Sequence, residues 1–285
     1  MIMMPSGDEA FTSEFHAALR DNGIPPCPEI LQRINAEMQK EEPNLRHLAD
    51  MICRDVGLSA GLLKTANSPF FGTRQRVASV TEALMILGLN KASQAVACVA
   101  LHQAFPNLRH IERFWDASAR IARLSGWLTQ EIHWPNVKAE EAYTFGLFRD
   151  CGIAVLMQRF PDYEMVLADA NRNGERCFTS VEEDVMPTNH AVVGAMLTQS
   201  WWLPDAICNA VRYHHDLAIP TPPDDVTVTL VAVAHVAEHL VQEISGLSQT
   251  REWQKLGESS LQQLDLTEQH LSDLCLGASK VLAEH

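Results

Sequence analysis

Val226-Thr-Val-Thr-Leu-Val231 alternates as a half-buried strand would, and its reading decides between an all-helical chain and a mixed one. The run does not stop where a strand would. It continues through Ala232-Val-Ala-His-Val-Ala-Glu-His-Leu-Val241 to Gly246, a length of about twenty residues, and no second alternating run is present to pair with it. A helix is therefore predicted from Val226 to Gly246, and with it an all-α fold.

Working outward, the helical period dominates. Phe11, Phe15, Ala18 and Leu19 share one face between Thr12 and Gly23. Beyond the prolines at 25, 26 and 28, Ile30, Leu31, Ile34 and Met38 repeat the pattern, and Asn44 opens a helix carrying Leu45, Leu48, Ala49 and Ile52. Asp55 reads as the cap of a helix that Asn67-Ser-Pro69 terminates, since a residue before proline avoids the helical region. Ser79-Val-Thr-Glu82 spells a capping box before Ala83, Leu84, Ile86 and Leu87, with Gly88 as the stop. Helices follow over 90–102, 111–130, 138–148, 153–159, 189–202 and 204–214, and Ser180-Val-Glu-Glu183 spells a second box. The Pro-rich stretch 216–225 reads as a linker or lid. The final helix places Leu271, Leu274, Cys275, Ala278, Val281 and Leu282 on one stripe.

The composition bounds the function. With 285 residues, 46% apolar and 20% charged, the chain reads as an ordinary globular protein of one large domain or two. Its formal charge of −14 repels phosphate backbones and anionic membranes, so neither nucleic acid nor membrane is an expected partner. The last seventy residues, 216–285, hold 11 acids against 3 Lys/Arg. Seven cysteines without a Cys-x-x-Cys pair argue against a disulfide framework or a thiolate zinc site. The start, MIMMPSGDEAF, lacks the basic and apolar regions of a secretory signal, and the expected location is the cytoplasm. Neither a Gly-rich phosphate loop nor a Gly-x-Ser-x-Gly elbow appears.

Histidine carries the chemistry. The adjacent His214-His215 at a helix end reads as a ligand pair for a metal or phosphate, or as two structural rings hydrogen-bonded to backbone and acids. His235 and His239 share a helix face at i, i+4, and Asp150 at a helix junction reads as an N-cap or as a ligand.

The ordered run Ile24-Pro-Pro-Cys-Pro-Glu-Ile-Leu31, Leu48-Ala-Asp-Met-Ile-Cys-Arg-Asp55, Leu62-Leu-Lys-Thr-Ala-Asn-Ser68, Val80-Thr-Glu-Ala-Leu-Met-Ile-Leu-Gly88, His190-Ala-Val-Val-Gly-Ala-Met-Leu197 and Trp202-Leu-Pro204 to His214-His215 resembles the HDOD family. These bacterial signalling modules are related to the HD metal-dependent phosphohydrolases. The resemblance implies a compact all-α, HD-like core packed against an N-terminal helical bundle. It divides the chain into a lead (1–14), an HDOD domain (15–215, with lobes 15–105 and 106–215) and an acidic helical C-terminal extension (216–285) packing on the core. Against the HD signature, Ala117 falls where the first His belongs, Arg149-Asp150 replaces His-Asp, Glu238 is the candidate distant acid, and the Gly-Tyr-Pro run of the HD-GYP relatives is missing.

What the resemblance implies is a regulator acting through other signalling proteins, with no catalytic residue assigned, no cofactor expected and well under one equivalent of metal. Arg149, Asp150, His190, His214 and His215 are the candidates for a degenerate metal or anion pocket. The alternatives are a phosphohydrolase using a divalent metal on this reduced set, and a sensor of a small anionic ligand on Arg149 and the His pair.

Overall fold

The computed structural model describes residues 23–71, 76–105, 111–216, 225–247 and 250–283. Among them every regular element is helical. The helix expected between Thr12 and Gly23, and nearly all of the Pro-rich stretch 216–225, lie outside the described residues.

The N-terminal lobe packs α1 (Glu29–Met38), α2 (Leu45–Ile52) and α3 (Val56–Ala66) against α4 (Val80–Gln103). Its helix starts are set locally, because the first turn has N–H groups without intrahelical acceptors. Asn44 accepts from His47 N at 3.0 Å, Asp55 from Leu58 N at 2.8 Å, and Ser79 from Glu82 N at 3.2 Å. Glu82 reaches back to Ala78 N at 2.8 Å, one residue before the Ser79 cap, so the predicted cap forms while the acid's half of the box is displaced by one residue. Gly88 takes φ 70° and ψ 170° inside α4, a backbone state open to glycine, and breaks the element where the sequence predicts the stop. Val80–Gln103 is also the one described helix long and apolar enough to cross a membrane, and 56% of its most apolar window is buried in the fold.

The helices after residue 105, taken together as the C-terminal lobe with those of the expected extension included, are α5 (Glu112–Ile132), α6 (Ala139–Phe148), α7 (Cys151–Arg159), α8 (Tyr163–Arg172), α9 (Phe178–Glu183), α10 (His190–Ser200) and α11 (Asp205–Tyr213), followed in the extension by α12 (Asp225–Ser245), α13 (Glu252–Leu264) and α14 (Glu268–Ala283). The run 226–231 is helical as predicted. Buried apolar side chains from Leu230 to Val241 line α12, which packs against α5, α6, α11 and α13 and so lies inside the lobe. The surrounding helices satisfy its apolar residues all round, which is why its sequence lacks a clean amphipathic stripe. The final helix, α14, buries Leu271, Ala278 and Leu282 and packs on α5 and α12.

The second capping box is a correction. Ser180 lies within α9, whose N-cap is Cys177 and makes no side-chain cap bond. The box spelling requires Ser180 to stand outside the helix, and its acid, Glu183, accepts instead from Asn189 Nδ2.

Two glycines decide how α7 meets α10. A Cβ on Gly152 would fall 1.9 Å from the carbonyl oxygen of His190 and 2.7 Å from Gly194 N. Only bare backbone allows this approach, and it places the start of α7 against the start of α10.

Candidate metal centre

Three helix ends meet at one point. Asp150 stands just before α7, His190 opens α10 behind its Asn189 cap, and His214-His215 follow α11. Asp150 holds the N-cap position but makes no capping bond, so the cap reading is corrected. Its carboxylate divides between two tasks. Oδ2 accepts from Arg149 Nη2 at 2.7 Å and Nε at 3.1 Å, while Oδ1 lies 3.2 Å from His214 Nε2 and 3.7 Å from His190 Nε2.

The imidazoles converge by the same nitrogen. His190 Nε2 lies 3.1 Å from His214 Nε2 and 3.0 Å from His215 Nε2, and with Asp150 one ligand atom from each residue falls within 4.8 Å of the others. The opposite nitrogens fix the tautomers. His214 Nδ1 donates to Val211 O at 2.8 Å, His190 Nδ1 to Glu182 Oε2 at 2.7 Å, and His215 Nδ1 to Glu252 Oε2 at 2.7 Å. Carbonyl and carboxylate oxygens only accept, so each Nδ1 carries the hydrogen and each neutral ring turns a bare Nε2 lone pair inward. Three lone pairs and a carboxylate oxygen thus face one another with no donor among them. That arrangement repels itself unless a cation or a proton sits between.

Burial sharpens the repulsion. His190, His214 and His215 are buried, with Asp150 the most exposed member. Burial pushes the imidazoles of His214 and His215 down, His215 well below its ordinary value with the neighbouring rings adding to the effect. Burial opposes charge on His190 too, but the carboxylate of Glu182 outweighs it and the net direction is up. Burial would raise Asp150, yet Arg149 and the two rings hold its carboxyl well below the usual range.

The supporting partners are equally enclosed. Glu182 accepts from His190 and from the Tyr163 hydroxyl, and Phe178 stacks on His215 with ring centres 4.7 Å apart. Arg149 lies between two acids, adding Nη1 and Nη2 bonds of 3.0 Å each to Glu238. Its charge is thereby matched by Asp150 and Glu238, which leaves it poorly placed to receive a further anion. Glu252 also pairs with Lys255. With the rings neutral, Asp150, Glu182, Glu238 and Glu252 face Arg149 and Lys255, an excess of two negative charges.

A cleft of about 440 Å³ reaches this cluster. Arg149, Asp150, His215, Glu238 and Glu252 line it together with Phe114, Ala117 and Ile121 from α5. All five candidate residues therefore lie together, and Ala117 contributes only a methyl to the wall. His235 and His239 do not act as a pair. His235 donates from Nε2 to His214 O at 2.7 Å and accepts from Ser260, whereas His239 stacks on Trp253 at 4.1 Å. Glu182 and Glu252 were not foreseen as members of the site. A box spelling disguised the first, and nothing near the second in sequence marks it.

The residues fit a divalent ion. Three neutral imidazoles and one carboxylate, each ring oriented by a second hydrogen bond, form the donor set that zinc and similar borderline ions take, and the charge excess equals that of one such ion.

A family model, the HDOD domain, matches residues 24–217. An uncharacterized protein of Treponema pallidum (strain Nichols) is 26% identical over 229 residues, which make up 78% of this chain and 44% of that one, so the chain spans less than half of that relative's length. Among solved structures, a Shewanella amazonensis protein provisionally described as a metal-dependent phosphohydrolase matches with a TM-score of 0.64 at 18% identity, over 98% of both chains. A Marinobacter aquaeolei protein provisionally described as a signal transduction protein matches with a TM-score of 0.59 at 20% identity, over 94% of this chain and 61% of that one. At these identities the likeness establishes the shared helical fold.

Proposed function

We propose, from the premise that this chain belongs to the HDOD family, that it is a cytoplasmic regulatory protein acting through contacts with other signalling proteins, and that its cluster holds one divalent metal without hydrolytic turnover. The convergence of three Nε2 lone pairs and Asp150 Oδ1 without a donor is the observation that carries the metal. Asp150, His190, His214 and His215 would hold it. Bound there, a divalent ion supplies Lewis acidity and ties three helix ends together.

This reading reverses the metal-poor expectation. Ligand counting along the sequence scored Ala117 and Arg149 as losses, but the four remaining residues form a complete set of their own. Four protein ligands fill a tetrahedral shell, which is the structural rather than the hydrolytic pattern. Arg149 adds a fixed cation beside the centre, and its pairing with Asp150 and Glu238 places those oxygens out of reach of a second metal.

Elemental analysis of the full chain, with Asp150→Ala and His214→Ala beside it, tests both halves. About one equivalent of metal is expected in the parent and a small fraction in either variant, with no hydrolysis of generic phosphomonoesters or phosphodiesters by any of them. A parent that binds no metal under loading removes the metal reading. The other loss would come from phosphatase activity that falls along with metal content in both variants, because the chain would then be a phosphohydrolase on the reduced ligand set.

A further inference from the structure

The support for this centre is not confined to the segment that matches the family. That match ends at residue 217, yet Glu252 opens α13 and accepts the Nδ1 hydrogen of His215 at 2.7 Å. The Glu252 side chain is 5% exposed, so the hydrogen bond is shielded from competing water. A helix start favours a carboxylate, and Lys255, one turn on, pairs with it while donating to Arg176 O at 2.9 Å. Farther along α13, Ser260 lies 3.0 Å from His235 Nδ1, and the other nitrogen of that ring holds the carbonyl of His214. Two of the four ligand residues are thus positioned by one helix: His215 directly, and His214 through His235.

We infer that Glu252 is a positioning residue for metal binding, and that occupancy of the centre and docking of α13 are reciprocally linked. The inference rests on the divalent-metal reading above. Glu252 selects the His215 tautomer that points Nε2 inward and lends it negative charge, which makes the ring a better donor. Whatever strengthens metal binding through α13 must be returned as tighter docking of α13 when metal binds. The ion would then control how firmly the last part of the chain is held, a change that a partner protein can read.

The test uses the full chain with Zn²⁺ as probe. Zinc affinity is measured by competition with a chromogenic chelator for the parent and for Glu252→Gln, which keeps a hydrogen-bond acceptor but drops the charge. Backbone hydrogen exchange over 252–264 is followed with and without zinc, and the visible absorption of the Co²⁺-loaded forms reports the ligand field at His215. The expected results are a 10- to 100-fold weaker affinity in Glu252→Gln, an altered Co²⁺ spectrum, and exchange in α13 slowed by zinc in the parent. Equal affinity in a folded Glu252→Gln, or α13 exchange indifferent to zinc in the parent, overturns the linkage while the metal centre stands. Failure of the parent to bind zinc removes the centre itself. If Glu252→Gln does not fold, the exchange measurement on the parent alone decides.

Discussion

The two lobes are both helical and both close on apolar residues, yet they treat charge in opposite ways. Between residues 24 and 105 the buried polar side chains described are Glu37 and Gln94, and Glu37 accepts from Lys40 and from Asn44 N near the surface. The C-terminal lobe encloses Arg149, Glu182, His190, His214, His235, Glu238 and Glu252. Buried ion pairs are weak sources of stability, because desolvation offsets most of their attraction and apolar residues of the same volume often do as well. A lobe that keeps so many of them is shaped by something other than stability. The difference teaches that the buried charge is concentrated in the C-terminal lobe, around the candidate site.

The comparison is broken most severely at Arg149. Arg149→Met strands Asp150 and Glu238 without their cation, and a cost of about 3–5 kcal/mol is expected in urea denaturation. Adding Glu238→Gln should recover part of that loss, since it removes a buried charge whose ion pair with Arg149 is gone. In the N-terminal lobe Leu84→Ala costs a similar ~2–5 kcal/mol through the cavity it leaves, and no second truncation restores it. Recovery in the double variant at Arg149 and Glu238 is the expected signature; an additive loss at the two positions would mean that these charges are independent of one another.

Acid separates the lobes next. Burial, with Arg149 nearby, holds the His235 imidazole down at about 3, against an ordinary value of 6.5. Below pH 6.5 the unfolded chain takes up a proton that the folded lobe refuses until about pH 3. Stability is therefore lost as pH falls through that window, at up to about 1.4 kcal/mol per pH unit from this one ring. His235→Gln, compared with the parent at pH 7 and pH 4.5 in chelator, should lose less on acidification, whereas Leu84→Ala should lose as much as the parent does. Identical acid losses in all three proteins would assign the sensitivity to other groups.

The smallest effect sharpens the scaffold side. Ser79→Ala removes the acceptor for Glu82 N and should cost about 1 kcal/mol in thermal or urea unfolding. Zinc affinity should not change with it, because the cap serves the start of α4 and nothing beyond. A changed affinity would show that the N-terminal lobe also supports the centre.

Asn44, Asp55 and Ser79 were legible as caps, and Gly88 as a stop, because a cap joins a side chain to an N–H three residues away and a glycine stop needs only its own backbone. The run from Val226 was legible as a helix from its length. Asp150, His190, His214 and His215 could be named as candidates from the motif order, but neither the shared orientation of the rings nor the choice between cap and ligand for Asp150 could be read. Asp150 sits where a cap belongs, and only the contact of Gly152 with His190 and Gly194 carries its carboxylate to the imidazoles.

By itself, then, the sequence determined the helical class, where many of the helices start and stop, and the residue types available for a site, since spacing within a few residues governs all three. The tertiary structure alone decided which carboxylates orient the rings and what Arg149 faces. Glu252 lies 37 residues from His215 and Glu238 lies 89 from Arg149, separations over which no local pattern acts and only packing chooses the partner.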